Sequence, residues 1–375
     1  MTDAPPDPEA KPSQATGPLA YAVACAAVIL ILVLGFLSSR RKDASSDKTV
    51  EIVKNRVRVN SQTRKALGTQ AKMSVVTGAG RGHEAEEVID VAFARVEEVE
   101  QMMSHFRPDS EVSRLNDSGK AIVSEETFYV LKKAKEASAL TGGAFDVTVP
   151  PLIHLWKEAG KKKVLPTEAD LKAALALVGW QKMVLNDETR EVTLPQGMSI
   201  DLGGIAKGYA VDAAAKSLNG RGFPNFMVEI GGEVVCGGRR EDAGKWKIGV
   251  QDPRSHILAP QTLDIILGLS DIAVATSGNY MQFTVIGDKR YSHIVDPRTG
   301  RTAEDVPSAT IIAPDCTTAD ALATAVSVMG VEKGLKLIET LPDVEAMLIT
   351  MKDGDLVFHK SKGFDRFIID EKQER

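Results

Sequence analysis

The apolar positions along this chain change period several times, and each change predicts an element. Glu84 to Phe106 carries Val88, Val91, Ala92, Val96, Val99, Met102 and Met103 at helical spacing. Ser124 to Leu140 reads as a second helix, stopped by Thr141-Gly-Gly. Thr167-Glu-Ala-Asp170 behind Pro166 is a helix start leading into Leu171–Val178. Lys182–Leu185 and Glu191–Leu194 flank Asn-Asp-Glu-Thr and predict a hairpin. Tyr209 to Leu218 is the next helix, and Phe226–Val235 a strand interrupted by Gly231-Gly232, the mark of a bulge or a close backbone approach. Strands follow at Trp246–Val250, Leu263–Leu267 and Phe283–Val285. Thr317 to Leu341 carries a long helix, and Glu345–Thr350 and Leu356–Phe358 end the pattern as strands. Helices and strands alternate irregularly with hairpin-like neighbours, which predicts an α+β fold over a doubly wound parallel sheet.

The N-terminal pattern is different in kind. Residues 1–17 are rich in Pro, Asp and Ala and read as a disordered tail. Leu19 to Leu37 is an unbroken apolar run long enough to cross a bilayer, so residues 18–38 are expected to form a transmembrane anchor. Basic residues follow this run instead of preceding it, which argues against a cleaved signal peptide. Residues 39–66 read as a juxtamembrane linker with a short strand at Val50–Val59, residues 67–360 as the folded domain, and 361–375 as a C-terminal tail. The Arg40-Arg41-Lys42 flank places the domain on the cytoplasmic side by the positive-inside tendency.

Composition narrows the classes. The chain has 375 residues, 26% charged and 43% hydrophobic, which is enough for a large core. Its net charge of −5 and lack of a basic stripe interleaved with aromatics exclude nucleic acid as the expected partner. Cys25, Cys236 and Cys316 are too few and too scattered for a disulfide framework or a zinc site.

The chemistry concentrates in a few segments. Asp201-Leu-Gly-Gly-Ile-Ala-Lys-Gly-Tyr-Ala-Val-Asp212 sets a glycine pair before a helical pattern, where backbone N–H groups favour phosphate. Ala319-Asp-Ala-Leu-Ala-Thr-Ala325 places Asp320 and Thr324 one helical turn apart, and their hard oxygens suit Mg²⁺. Gly204 has no Cβ, so its carbonyl can approach an ion or phosphate closely. Tyr291-Ser-His-Ile-Val-Asp-Pro-Arg-Thr-Gly300 holds His293, the only histidine inside a motif and a base suited to neutral pH. His83, His105, His154, His256 and His359 read as structural or surface. Each site residue also has a plain structural role open to it. Asp201 fits a helix N-cap, Lys207 a solvated surface lysine, Asp320 a helix-dipole partner and His293 a hydrogen-bonded core histidine.

With Arg107-Pro-Asp-Ser-Glu-Val-Ser-Arg-Leu-Asn116, Gly142-Gly-Ala-Phe-Asp-Val-Thr-Val149 and Ala275-Thr-Ser-Gly278, these segments resemble the ApbE family of FAD:protein FMN transferases, from about Leu67 to about Val357. The resemblance implies mixed, largely antiparallel sheets flanked by helices. It implies FAD as substrate, held by Leu67, Phe106, Ala144, Phe145, Asp146, Asp201, Lys207 and the backbone of Ile294. It implies Mg²⁺ held by the Gly204 carbonyl, Asp320 and Thr324, with His293 as the base for an acceptor hydroxyl. Phe106 stands where the family usually has Tyr or Trp, Leu67 where most members have Met, and Pro150-Pro151 replaces a usual Gly-Pro. Implied clients are flavoproteins of sodium-pumping NADH:quinone reductases and Rnf-type complexes. The resemblance also implies a catalytic domain outside the inner membrane, opposite to the side that the flanking charges favour.

The activity so implied is transfer of FMN to a Thr or Ser of a client flavoprotein with release of AMP. Two rivals share the same residues: an FAD pyrophosphatase using water, and an FAD-binding module without catalysis. Self-flavinylation at Thr77-Gly-Ala-Gly80 is disfavoured, because the segment lacks the final hydroxyl residue of the usual acceptor pattern.

Overall fold

The computed structural model describes residues 57–255, 261–278 and 283–369. The proposed anchor at 18–38 lies outside them, and among the described residues no helix is long and apolar enough to cross a membrane. Two strands open the fold, β1 (Arg58–Ala66) and β2 (Thr69–Thr77), followed by helices α1 (Gly82–Met103) and α2 (Glu111–Ser118). Next come β3 (Lys120–Ile122), α3 (Glu125–Leu140), α4 (Pro150–Lys162), α5 (Glu168–Ala176), β4 (Val184–Asn186) and β5 (Glu191–Thr193). Helix α6 (Ala206–Gly220) leads into β6 (Phe226–Ile230), β7 (Glu233–Gly237), β8 (Trp246–Gln251), β9 (Thr262–Leu269) and β10 (Ile272–Gly278). The chain continues through β11 (Phe283–Ile286), β12 (Lys289–Ser292), β13 (Ser308–Ala313), α7 (Cys316–Ile338), β14 (Glu345–Lys352) and β15 (Asp355–Lys360).

The main sheet has eight strands in the order β1-β2-β6-β7-β10-β13-β14-β15, and every described pairing is antiparallel. The α+β expectation therefore holds. The period-two alternation of the strands assigns the layers. Ala275 and Ile311 face α7, alongside Ala319, Leu322 and Ala323. Their neighbours Val274 and Ile312 face the other way, onto Trp246, Leu267, Met347 and Phe364. The largest core lies between β2, β6 and the helices α1 and α6, through Met73, Val75, Ile89, Val96, Val211 and Leu218. In α1 the buried stripe runs through Val88, Ile89, Ala92, Phe93, Val96, Val99 and Met103, so Val91 falls off it at 38% exposed.

Several expectations need correction. Arg58–Ala66, read as linker, is a sheet strand paired residue by residue with β2. Leu67 and Gly68 form the turn between them, both at positive φ. Gly231-Gly232 is not a bulge within one strand but the two-residue turn of the β6–β7 hairpin, both residues at positive φ. Residues 361–369 do not trail from the domain, since Phe364 is fully buried against the sheet. The long C-terminal helix is broken at Gly330, whose φ of 76° and ψ of 175° are not helical. Helices α2 and α4 and strands β2, β3, β10, β12 and β13 carried no signal strong enough to be expected.

Phe364→Ala should lower stability by about 3–5 kcal/mol, as for other large-to-small core changes. Urea unfolding of the two proteins measures it; a change below about 1 kcal/mol would return residues 361–369 to the status of a tail.

Candidate active site

The site begins where α6 meets α7. Among the described residues Gly208 makes the approach possible, because a Cβ there would collide with the Cys316 carbonyl and stand 2.9 Å from the Asp320 Cβ. Helix α6 starts without a side-chain cap of its own. The Gly208 N–H, one of its unpaired first-turn donors, is taken by Asp320 Oδ2 at 2.9 Å. Further along α6, Asp212 accepts from the N–H groups of Cys316 at 2.9 Å and Thr317 at 2.8 Å, and from the Thr317 hydroxyl at 2.6 Å. Asp315 caps the same helix through the Thr318 N–H at 2.8 Å. The start of α7 is therefore pinned to α6 and its leading donors are occupied. Burial pushes the Asp212 carboxyl up to about 6, against the pull of these donors.

One turn beyond Asp320, the Thr324 hydroxyl lies 3.3 Å from Ser277 Oγ on β10. A Cβ on Gly204 would stand 3.3 Å from Thr324 Oγ1 and 3.2 Å from the Phe145 ring. Gly204, Thr324 and Phe145 thus converge from three separate segments. Ala144, Phe145 and Asp146 are all buried. The Asp146 carboxylate is fully engaged, accepting from Thr148 N–H and hydroxyl and from Trp180 N–H, and the Ala144 and Phe145 N–H groups donate to Thr141, so this tripeptide offers a ligand the Ala144 and Phe145 carbonyls and the Phe145 ring.

The charge in this region is concentrated. The Lys207 ammonium pairs with Glu233, which opens β7 immediately after the Gly231-Gly232 turn. Glu233 and Ala275 are register partners on β7 and β10, so Glu233, Ala275 and Ser277 share the sheet face that α7 covers. Glu233 is 2% exposed, as is Asp320. Burial pushes both carboxyls up, and Lys207 opposes the shift at each. Burial would also strip the proton from Lys207, but Asp320 and Glu233 outweigh it and hold the ammonium charged. Glu233 Oε2 is buried without a hydrogen-bond partner.

Asp201 is not a helix cap. Its Oδ1 accepts from Gly203 N–H at 2.8 Å and lies 3.0 Å from His105 Nδ1. Burial pushes the Asp201 carboxyl up, but His105 and Gly203 together hold it below the usual range. The ring of Phe106 lies 3.8 Å from that of His105 and is 79% exposed, open to stacking by a flat ligand. His105 and Asp201, with Asn116, His154 and Lys157, line a cavity of about 300 Å³. Leu67, half-buried, donates its N–H to Glu100 at 3.2 Å.

His293 is exposed on the loop after β12, between buried Ser292 and Ile294. The Asp296–Gly300 turn that follows is closed by Asp296 and Arg298 at 2.8 Å and pinned by Trp156, which donates to the Gly300 carbonyl at 2.8 Å. A Cβ on Gly143 would lie 3.7 Å from Arg298, so the His293 loop sits against the loop that delivers Phe145.

Two residues escaped the sequence reading. His105, read as structural or surface, is the partner of Asp201; its position one residue before Phe106 was the available signal. Glu233 was passed over, although an acidic residue opening an apolar strand directly after a glycine pair is a legible anomaly.

The residues present fit a hard divalent cation. Among the described residues no three His, Cys, Asp or Glu side chains gather as metal ligands. What is offered is one buried carboxylate and one hydroxyl a helical turn apart, with Gly204 against the hydroxyl, beside a cluster in which two carboxylates face one ammonium. That donor set matches Mg²⁺, which keeps water or phosphate oxygens in its remaining positions.

The chain belongs to the ApbE family, whose model matches residues 67–348. It is 37% identical over 279 residues to an FAD:protein FMN transferase of Vibrio cholerae, covering 73% of this chain and 82% of that relative. It is 30% identical over 319 residues to one of Haemophilus influenzae, covering 82% and 91%. The solved flavin transferase ApbE from Vibrio cholerae superposes with a TM-score of 0.72 at 34% identity, over 83% of this chain and 99% of that one. The ApbE protein of Thermotoga maritima does so with a TM-score of 0.74 at 32% identity, over 84% and 100%.

Gly208→Ala should force α6 and α7 apart, lowering stability by about 1–3 kcal/mol. Thermal melts and urea unfolding measure it, and an unshifted midpoint would mean that the two helices do not depend on this contact.

Proposed function

We propose that this protein transfers FMN from FAD to a Thr or Ser hydroxyl of a client flavoprotein and releases AMP. The observation that carries the reading is the convergence of Gly204, Thr324, Asp320 and Lys207 at one helix–helix contact, with His293 exposed on a neighbouring loop. A base that serves a hydroxyl on another protein must be reachable, and His293 is.

Phe106 and Phe145 supply aromatic surface for the flat parts of FAD, Leu67 an apolar wall, and the Ala144 and Phe145 carbonyls hydrogen-bonding groups, whereas the Ile294 N–H and carbonyl are bonded to Ser292 Oγ and the Ala303 N–H. Asp201, oriented by His105, can accept from a ribose or ring N–H. Mg²⁺ would be held by Asp320, Thr324 and the Gly204 carbonyl, where it supplies charge neutralisation at the diphosphate. His293 takes the proton of the acceptor hydroxyl, whose oxygen bonds to the phosphorus on the FMN side. The bond from that phosphorus to the bridging oxygen breaks, and the leaving AMP carries the oxygen away. Lys207 offsets the charge developing there.

Clients of the NADH:quinone reductase or Rnf type fit a protein held at a membrane, since an anchor at 18–38 raises local concentration near membrane-bound targets. The reading places the domain outside the cytoplasmic membrane, against the pull of Arg40-Arg41-Lys42. An alkaline phosphatase fused after Arg375 should be active in whole cells; an inactive phosphatase beside a fluorescent cytoplasm-only reporter would put the domain inside.

Full-length protein incubated with FAD, Mg²⁺ and an acceptor flavoprotein should yield covalently fluorescent client and one AMP per flavin attached. Free FMN at the same rate with or without client would make the protein a pyrophosphatase, and FAD bound with no AMP released would make it a binding module. His293→Asn should slow transfer by about 10²- to 10⁴-fold while FAD affinity stays within about threefold. Asp320→Ala should remove the divalent-ion dependence and most turnover, with FAD still bound through aromatic and backbone contacts. Unchanged transfer in either variant removes that residue from its role.

A further inference from the structure

Glu233 has no part in the chemistry described so far, yet it is among the most buried charged side chains of the fold. Its side chain is 3% exposed, one oxygen pairs with Lys207 and the other, Oε2, has no partner. A lone buried carboxylate would be costly, and an Ile or Val would satisfy the alternation of β7. The strand instead places an acid at the position whose face, shared with Ala275 and Ser277, looks toward α7 and Thr324.

The reason lies with Lys207. Its ammonium feels both Asp320 and Glu233, so two buried carboxylates compete for one cation. Of the two, Asp320 is the residue assigned to the divalent ion. An ammonium resting on Asp320 would oppose that ion directly, because two like charges brought close together in a protein site repel. The structure resolves the competition in favour of Glu233, where the direct ion pair forms. The Asp320 carboxylate instead accepts from a neutral donor, the Gly208 N–H at 2.9 Å, and lies within the Lys207 field without a direct ion pair.

We propose that Glu233 is a positioning residue that holds the Lys207 ammonium off Asp320, keeping the Asp320–Thr324 face open to a divalent cation. It rests on the assignment of the ion to Asp320 and Thr324. In Glu233→Gln the amide keeps the shape but not the charge, and Lys207 turns to Asp320, the other buried carboxylate within its field. Removing the ammonium as well, in Lys207→Met/Glu233→Gln, removes the competitor, so the double variant should bind the ion better than the single one. A purely structural Glu233 predicts the opposite order, with the double variant at least as damaged.

The test is Mn²⁺ binding to the full-length protein, read by the loss of the free-ion electron paramagnetic resonance signal, with no flavin present. Wild type should bind, and Asp320→Ala should not. Glu233→Gln should weaken binding by about tenfold or more, Glu233→Asp should restore it to within about threefold, and the double variant should recover most of the loss. Glu233→Gln binding like wild type, or a double variant no better than Glu233→Gln, overturns the proposal while leaving the ion site intact. Asp320→Ala binding like wild type overturns the ion site itself, a separate failure. Should Glu233→Gln not fold by thermal melt, Lys207→Met decides alone: it should bind Mn²⁺ at least as tightly as wild type, and weaker binding overturns the proposal.

Discussion

The contact between α6 and α7 at Gly208 is the constraint on which the site depends. Two helices carrying Lys207 and Asp320 can face each other this closely because one of them has a hydrogen where every other residue has a carbon. The closeness then sets the hydrogen bonding. Asp320 reaches the first turn of α6 and satisfies its Gly208 N–H, while Asp212 reaches back to satisfy the first turn of α7. Each helix caps its neighbour, and neither start is left as a bare set of donors. A cap contributes about 1 kcal/mol in most settings, but here the reciprocal pair also fixes the axial register, and with it the height of Asp320 and Thr324 relative to Gly204.

That arrangement forces buried charge on the fold. Asp320 and Glu233 are each nearly inaccessible, and a buried carboxylate without a partner costs several kcal/mol. Lys207 compensates one of them in a close pair, while burial pushes both carboxyls up. The divalent ion proposed at Asp320 would favour the ionised form of the second carboxyl. The glycines at 204 and 208 serve the same end in different ways, one clearing space beside Thr324 and Phe145, the other permitting the helix approach.

Much of this was legible in the chain. Asp320 and Thr324 fall on one helical face by spacing alone, and Gly204 and Lys207 open a helix because glycine and a helical pattern meet there. The ends of α3 and α5 followed from Ser124 and the Thr167–Asp170 box, whose side chains cap as expected. What escaped was set by pairing across long sequence separation. Strand β13 is buried along its whole length and has no alternation to read, and β2 is only partly alternating. The turn at Gly231-Gly232 was misplaced because a hairpin of two short apolar strands and one interrupted strand have the same composition. Glu233 and His105 gain their roles from Lys207 and Asp201, partners found only by folding. Phe364 lies beyond the last regular strand, where nothing local marks burial.

A protein that hands a nucleotide fragment to another protein must reconcile two demands. The diphosphate has to be kept from water, or hydrolysis competes with transfer, while the acceptor hydroxyl has to reach the phosphorus from outside. The fold divides these demands between segments. Asp320, Glu233, Ala144 and Phe145 are sequestered between sheet and helices, whereas His293 and Phe106 are exposed. The seam where Arg298 meets the Gly142-Gly143 turn connects the halves, since one loop carries the base and the other carries Phe145 to Gly204. Trp156 fixes the outer loop through a single buried hydrogen bond to Gly300, and that turn needs glycine for its positive φ. The exposed histidine is therefore mounted just before a turn that Asp296, Arg298 and Trp156 hold in place.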